Sequence, residues 1–245
     1  MEQLLATWVL SVMLLIAPPE KRVSATSLRT GGETVEQMRG RYKRIAEDIA
    51  AVVVTETPVA QGKGARLRAA QLVLAVTFFE SGFRKDVDDG KCWKGSCDEW
   101  KGKATSFCLG QIHIGEGKTA EGWTGADLIA DRKKCLTTTL RLFKESMGAC
   151  GDLASYTVGT CTPGEPKAKA RGDYASSLSG RVPPPVLELS LGWGVDVLVG
   201  VRRKEGGGGE LLDLLYGCQD ISLRPVDTRK DRGSCVRPGT FNEVD

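Results

Sequence analysis

The chain has 245 residues, of which 41% are hydrophobic and 27% are charged, and this composition is typical of a globular protein with one main core. The formal net charge is only +3, and the basic and acidic residues are interspersed along the chain. Because nucleic-acid binding needs a clustered basic face, this pattern indicates no nucleic-acid partner.

An uncharged apolar run, Leu4 to Ala17, lies near the N-terminus. It is short for a membrane span and has the length of a signal-peptide core, and Val23-Ser24-Ala25 offers a small-residue cleavage site. We therefore predict that residues 1–25 form a signal peptide, with a retained signal anchor as the alternative. A helix buried in the fold is less favoured, because Pro18 and Pro19 follow directly. Export would place the protein in the periplasm or cell envelope, or secrete it, with no stable membrane span unless the leader is retained.

Several later segments carry helical patterns. Thr34 and Gln37 form a capping box, and apolar residues recur every three or four positions from Val35 to Val52. A second helix, apolar on most faces, runs from Leu67 to Phe79 and ends at Gly82. Further helices are predicted over three segments, which are 124–148, 152–158 and 166–178.

The C-terminal part has a different pattern. Every odd-numbered residue from Leu187 to Val201 is apolar, and this period of two predicts a β-strand. The prolines at 183–185 mark a break just before it. The fold class is therefore predicted to be α+β and mainly α, with a helical domain over residues 26–180 and a small β-rich extension over residues 181–245.

The chain contains eight cysteines, and an even number beside an export signal predicts disulfides in an oxidising compartment. A metal site is the alternative, but the chain has no Cys-x-x-Cys pair, and His113 is its only histidine. Disulfides are thus favoured, and we expect no metal ion or other cofactor. If each cysteine bonds to a partner that is near in the sequence, the expected pairs are Cys92–Cys97, Cys108–Cys135, Cys150–Cys161 and Cys218–Cys235.

Glu80 lies at the end of the second apolar helix, among Phe78, Phe79 and Phe83. Aromatic neighbours desolvate a carboxylate, and the negative end of the helix dipole repels it, so both effects disfavour ionisation. A protonated carboxyl group is what a general acid needs to break a glycosidic bond. The alternative is a Glu that faces solvent at a helix end, and residues 78–83 by themselves favour that alternative.

Two more motifs follow the Glu80 motif along the chain. The three are Glu80-Ser81-Gly82-Phe83, Cys108-Leu109-Gly110-Gln111-Ile112 and Ala154-Ser155-Tyr156-Thr157-Val158-Gly159. In this order they resemble the lytic transglycosylases and goose-type lysozymes, lysozyme-like enzymes that cut the glycan strands of peptidoglycan. The resemblance covers residues 65–174 and implies a lysozyme-like helical domain whose partner is peptidoglycan.

The resemblance implies that Glu80 is the catalytic acid and then the base at the bond between N-acetylmuramic acid and N-acetylglucosamine. The N-acetyl oxygen of the substrate would stabilise the developing cation, and Glu80 would then deprotonate the C6 hydroxyl to give a 1,6-anhydro product without water. This route needs one carboxylate, where most glycosidases use two. The resemblance also assigns contacts with the substrate, or with the catalytic Glu, to Ser81, Gln111, Tyr156, Thr157 and Tyr174.

Two motifs depart from the family pattern. The family's Gly-Leu-Met-Gln reads Cys108-Leu109-Gly110-Gln111 here, so a cysteine stands where the family has glycine. Our hypothesis is that a disulfide from Cys108 holds the backbone that this glycine normally shapes. Thr157 replaces a family asparagine, and threonine keeps a donor and an acceptor but has a shorter reach.

Two alternatives to the transglycosylase stay open. In the first, the protein is an inverting muramidase, a hydrolase in which an acidic side chain positions a water molecule. The candidates for that side chain are Asp86, Asp88 and Asp89, although a solvated acidic loop explains them as well. In the second, the domain is a degenerate lysozyme-like module that binds the wall or serves as a virion structural part without catalysis.

Overall fold

The computed structural model of the chain describes residues 1–23, 32–59, 62, 64–91, 99–100 and 103–184. These residues form mainly helices, with small antiparallel sheets, in agreement with the predicted α+β, mainly α class. The strand predicted from Leu187 to Val201 lies outside the described residues, as does most of the extension predicted over residues 181–245.

The elements are numbered in chain order over the described ranges. The helices are α1 (Glu2–Ile16), α2 (Pro19–Arg22), α3 (Val35–Thr55), α4 (Ala65–Ser81), α5 (Lys85–Asp88), α6 (Gly125–Ala130), α7 (Arg132–Cys150), α8 (Ala154–Val158) and α9 (Pro166–Arg181). The strands form two hairpins, in which β1 (Glu99–Trp100) pairs with β2 (Lys103–Ala104) and β3 (Ser106–Phe107) pairs with β4 (Ile112–His113).

The two central helices, α3 and α4, follow their sequence patterns. The capping box before α3 is present, because Gln37 N donates to Thr34 Oγ1 at 3.2 Å and Thr34 N donates to Gln37 Oε1 at 2.9 Å. α4 ends where Gly82 takes a φ of 57°, a left-handed conformation that glycine adopts without strain. Glu80 therefore lies in the last turn of α4, as its position before a glycine predicts.

The helix predicted over 124–148 is two helices in the structure. Asp131 separates α6 from α7 with extended backbone angles, and its side chain caps α7 by accepting a hydrogen bond from Lys133 N at 3.0 Å. The second helix continues through Gly148 and ends at Gly151, whose φ is 77°. Apolar spacing continues across the break, so periodicity alone predicted one helix.

The apolar N-terminal run forms α1, and this helix packs in the core against α3. Trp8 Nε1 donates to the Val182 carbonyl at 2.9 Å, which joins the start of the chain to the end of α9. The expectation that Pro18 and Pro19 argue against a buried helix is wrong in this structure. Pro19 is the first residue of α2, a position where the missing N–H of proline has no partner to lose.

The segment Glu2–Arg22 is also long and apolar enough to cross a membrane, by length and composition alone. Core helices of soluble proteins and signal sequences pass the same test, and this segment lies near the N-terminus. An apolar N-terminal helix, together with the disulfides described below, is compatible with a secreted protein and weakly indicates one.

Candidate active site

Glu80 is paired with Arg171, which lies on α9 and is 91 positions away in the sequence. Arg171 Nε donates to Glu80 Oε1 at 3.0 Å, and Nη2 donates to the same oxygen. Nη1 donates to the Lys167 carbonyl at 3.1 Å. The Glu80 side chain is 22% exposed and that of Arg171 is 11% exposed, so solvent reaches the pair from one side. Within the described part of the chain, only Oε1 of Glu80 accepts hydrogen bonds.

An aromatic cluster flanks this ion pair. The rings of Phe78 and Tyr174 are stacked, with centroids 5.6 Å apart and planes 8° apart. Phe79 meets the Tyr174 ring edge-on at 5.4 Å, and the Arg171 guanidinium lies 5.3 Å from the Phe79 ring centroid. Phe79 is 44% exposed. Tyr174 therefore packs against the residues that flank the Glu80–Arg171 pair, and the exposed Phe79 ring lies beside that charged pair.

Phe83, the third predicted aromatic neighbour of Glu80, is fully buried instead. Its ring packs edge-on against Tyr42, with centroids 5.8 Å apart. Its backbone is left-handed, with a φ of 54°, and its carbonyl accepts a hydrogen bond from Arg41 Nη1 at 2.8 Å. Left-handed backbone is unfavourable for a residue with a side chain, so the surrounding contacts hold this turn after α4.

Tyr156, on α8, joins the third motif to the second. Its hydroxyl donates a hydrogen bond to the Gly110 carbonyl, and its ring packs edge-on against Phe143 at 4.9 Å. Burial raises the pKa of Tyr156 well above its ordinary value, the nearby Glu80 carboxylate raises it further, and Arg171 opposes this. The phenol is therefore a protonated donor at neutral pH.

The second motif is the tight turn between β3 and β4. Two of its residues are left-handed, Cys108 with a φ of 60° and Gln111 with a φ of 48°. The backbone N and side-chain Nε2 of Gln111 each donate to the Cys108 carbonyl at 3.0 Å. Gly110 packs so closely on α7 that an added Cβ would lie 2.2 Å from Thr139 Oγ1. Packing therefore requires glycine at 110, whereas Cys108 holds its left-handed backbone with a side chain present.

The disulfides described by the structure are two of the four pairs expected from closure between near neighbours. Cys108 is bonded to Cys135 on α7, with their Cα atoms 6.2 Å apart, and Cys150 is bonded to Cys161. The other candidates, Cys92, Cys97, Cys218 and Cys235, lie outside the described residues. The first disulfide ties the left-handed Cys108 to α7, which supports the hypothesis that a cross-link replaces the family glycine.

We expect Cys108→Gly to be more stable than Cys108→Ala by about 1 kcal/mol, because only glycine adopts a left-handed φ without strain. Each variant is made with Cys135→Ala so that no thiol is left unpaired. Both lose the disulfide, at about 3 kcal/mol relative to the oxidised protein. Urea unfolding measures the difference, and equal stability of the two would mean that residue 108 relaxes once the cross-link is removed.

Ser81 and Thr157 use their hydroxyls on the backbone. Ser81 is buried, its Oγ donates to the Thr77 carbonyl at 2.7 Å, and it accepts from Phe83 N at 3.2 Å. Thr157 Oγ1 donates to the Ala154 carbonyl at 3.1 Å. Ser81 therefore holds the turn after Glu80, and neither hydroxyl contacts Glu80 in the described part of the structure.

The three acidic residues of the inverting alternative are all in ion pairs. The partners are Arg84 for Asp86, Arg132 for Asp88 and Lys85 for Asp89. Asp88 and Asp89 border a polar cavity of about 700 Å³ that is also lined by Cys108 and Arg132. Among the described residues, no three His, Cys, Asp or Glu side chains are arranged to hold a metal ion.

Comparisons with known proteins add no relative. No protein-family model, no curated protein and no solved structure matches this chain. The functional interpretation therefore depends on the three motifs and on the residues that the fold brings together around Glu80.

Proposed function

We propose that this protein cleaves the glycan strands of peptidoglycan in the cell envelope or outside the cell, with Glu80 as the acid and then the base. The observation that carries the proposal is a link between the three motifs. Tyr156 of the third motif donates a hydrogen bond to the Gly110 carbonyl of the second, and the Glu80 carboxylate of the first helps to raise the pKa of Tyr156.

The proposed reaction needs one carboxylate and consumes no water. Protonated Glu80 gives its proton to the oxygen between N-acetylmuramic acid and N-acetylglucosamine as the bond from that oxygen to C1 breaks. The C6 hydroxyl of the muramic acid then bonds to C1, and its proton returns to Glu80. The inverting route requires a second carboxylate to activate water, and its candidates Asp86, Asp88 and Asp89 are each paired with a cation, as Glu80 is. The exposed Phe79 offers apolar ring surface against which a sugar can pack.

One observation favours a second candidate, a wall-binding module without catalysis. Arg171 occupies Oε1 of Glu80 with two donors, which are charge-assisted hydrogen bonds of the strong kind. An enzyme must release Glu80 from Arg171 when substrate is bound. A binding module would keep the pair and hold glycan on the aromatic surface alone.

The test is the release of muropeptides from purified peptidoglycan by the full-length, oxidised protein, followed by mass spectrometry. We expect 1,6-anhydro products, and at least about 100-fold less of them from Glu80→Gln, because general acid–base catalysis contributes roughly 10²–10⁴-fold. Glu145→Gln removes a carboxylate from an exposed pair with Arg141 and is the control that keeps activity.

The chemical form of the released muropeptides distinguishes the transglycosylase, the hydrolase and the binding module. Reducing-end products that disappear with Glu80→Gln would identify a hydrolase and contradict the transglycosylase. No release by folded protein that still binds the wall would contradict both enzymes and favour the binding module.

A further inference from the structure

We infer that Arg171 is the carboxylate receptor of the glycan site, which holds Glu80 at rest and exchanges it for a carboxylate of the bound muropeptide. This inference rests on the proposed function and adds a specificity determinant to it. Peptidoglycan offers such carboxylates on its stem peptides and, where the peptide is absent, on the lactyl group of muramic acid.

The geometry of the pair distinguishes it from three other arginine–carboxylate pairs among the described residues. In each of three pairs, Nε and Nη2 of the arginine contact different oxygens of one carboxylate, the two-oxygen arrangement that guanidinium groups favour. These pairs are Arg41–Glu33 at 2.7 and 2.9 Å, Arg84–Asp86 at 3.0 and 2.7 Å, and Arg132–Asp88 at 3.0 and 2.8 Å. In Arg171–Glu80 both donors converge on Oε1. Arg171 therefore does not use the two-oxygen contact that a free carboxylate could give it.

Side-chain exposure also distinguishes the Arg171–Glu80 pair from these three pairs. The carboxylate side chains of the other three pairs are between 4% and 7% exposed, whereas Glu80 is 22% exposed. Of these four carboxylates, Glu80 alone can leave its arginine without creating a deeply buried, unpaired charge, which would be strongly unfavourable. The incoming carboxylate would approach over Phe79, which lies under the Arg171 guanidinium and is itself exposed.

The charge of α9 suits an anionic partner. The helix carries Lys167, Lys169, Arg171 and Arg181 against a single acidic residue, Asp173. Lys169 pairs with Asp173 on the exposed face, and the Lys167 carbonyl fixes Nη1 of Arg171. The helix thus keeps the guanidinium in place while its Nε and Nη2 change partner.

Exchange would couple recognition to catalysis. Once a substrate carboxylate occupies Arg171, Glu80 loses its partner and lies close to a second negative charge and to aromatic rings. The proposed reaction needs a Glu80 carboxyl that is free of Arg171, and the exchange supplies it. A glycan without a carboxylate would leave the resting pair intact.

Binding of the full-length, oxidised protein to purified peptidoglycan, measured by co-sedimentation, tests the inference without requiring cleavage. The comparison substrate is the same peptidoglycan with its carboxylates amidated by carbodiimide coupling. We expect wild-type protein to bind the native wall about tenfold more tightly, the size of one charge-assisted hydrogen bond. Arg171→Gln is expected to lose this preference, Arg171→Lys to keep part of it, and Lys169→Gln, which removes one positive charge from the same helix, to keep it fully.

Equal binding of the native and amidated walls by wild-type protein would overturn the inference, as would a preference that survives in Arg171→Gln. Thermal unfolding identifies a variant that fails to fold. If Arg171→Gln fails to fold, the binding preference of Arg171→Lys tests the inference instead. Glycan strands stripped of peptide by an amidase distinguish the two carboxylate sources, because tight binding there identifies the lactyl group and its loss identifies the stem peptide. Absence of muropeptide release would overturn the proposed reaction and leave these binding results to stand by themselves.

Discussion

Deletion of residues 1–22 is expected to leave the helical domain unable to fold cooperatively. The buried face of α1 consists of Leu5, Trp8, Val9, Val12 and Met13. Burial of one such side chain contributes roughly 1.5–3 kcal/mol. Five of them contribute on the order of 10 kcal/mol, which is comparable with the whole stability of a typical domain, about 5–15 kcal/mol. Circular dichroism during thermal unfolding checks this, and a broad or absent transition is the expected result.

Two adjacent leucines provide a matched control in the full-length chain. Leu5 is fully buried and Leu4 is exposed, although both lie on α1 and both have the same chemistry. Leu5→Ala is expected to lower the free energy of unfolding by about 2–5 kcal/mol, and Leu4→Ala to change it by less than about 0.5 kcal/mol. A cooperative transition in the deleted protein, or equal effects of the two leucines, would contradict the packing of α1.

Unfolding of the protein without residues 1–22 also tests the predicted signal peptide. A form cleaved after Ala25 would have to fold without α1 and α2, and it would lose a contact beside the candidate site. Arg22 Nη1 donates to the Gly82 carbonyl, and its guanidinium lies 5.7 Å from the Phe78 ring centroid. N-terminal sequencing of the exported protein tells which form exists, and unfolding of each form tells whether α1 is needed.

Local features of the fold could be predicted from the sequence because a few neighbouring residues determine them. The capping box at Thr34, the end of α4 at Gly82 and the closure of Cys150 on Cys161 each depend on residues close in the chain. The break at Asp131 was missed because the apolar spacing continues across it, whereas a single capping side chain determines where α7 begins. Burial of α1 was missed because a run of apolar residues looks the same in a leader and in a core.

The candidate site was predictable only in part. The three motifs predicted Glu80 and Tyr156 as site residues, and the Glu80 carboxylate helps to raise the pKa of Tyr156 in the structure. No sequence signal pointed to Arg171, because its contact with Glu80 depends on how α9 packs on α4. The sequence placed Glu80 among aromatic rings at the negative end of a helix, whereas the fold adds a cation, Arg171, that binds its carboxylate.

Arg41→Met is expected to destabilise the protein by about 3–5 kcal/mol, because it leaves a buried carboxylate unpaired. Arg41 and Glu33 are both buried and share two hydrogen bonds, at 2.7 and 2.9 Å. Arg39 lies two residues away on the same helix and pairs with Glu20 at the surface, so Arg39→Met is the control and should cost less than about 1 kcal/mol. Urea unfolding compares the two, and equal losses would contradict the buried pair.

A double variant separates the stability of this pair from its effect on the site. Arg41→Met with Glu33→Leu removes both charges, so it should recover most of the lost stability relative to Arg41→Met alone. It cannot restore the hydrogen bond from Arg41 Nη1 to the carbonyl of Phe83, whose left-handed turn follows directly after the helix of Glu80. We therefore expect the double variant to fold stably and yet release muropeptides more slowly than the wild type. Full activity in a stable double variant would mean that Ser81 and Arg22 hold the turn after α4 without Arg41.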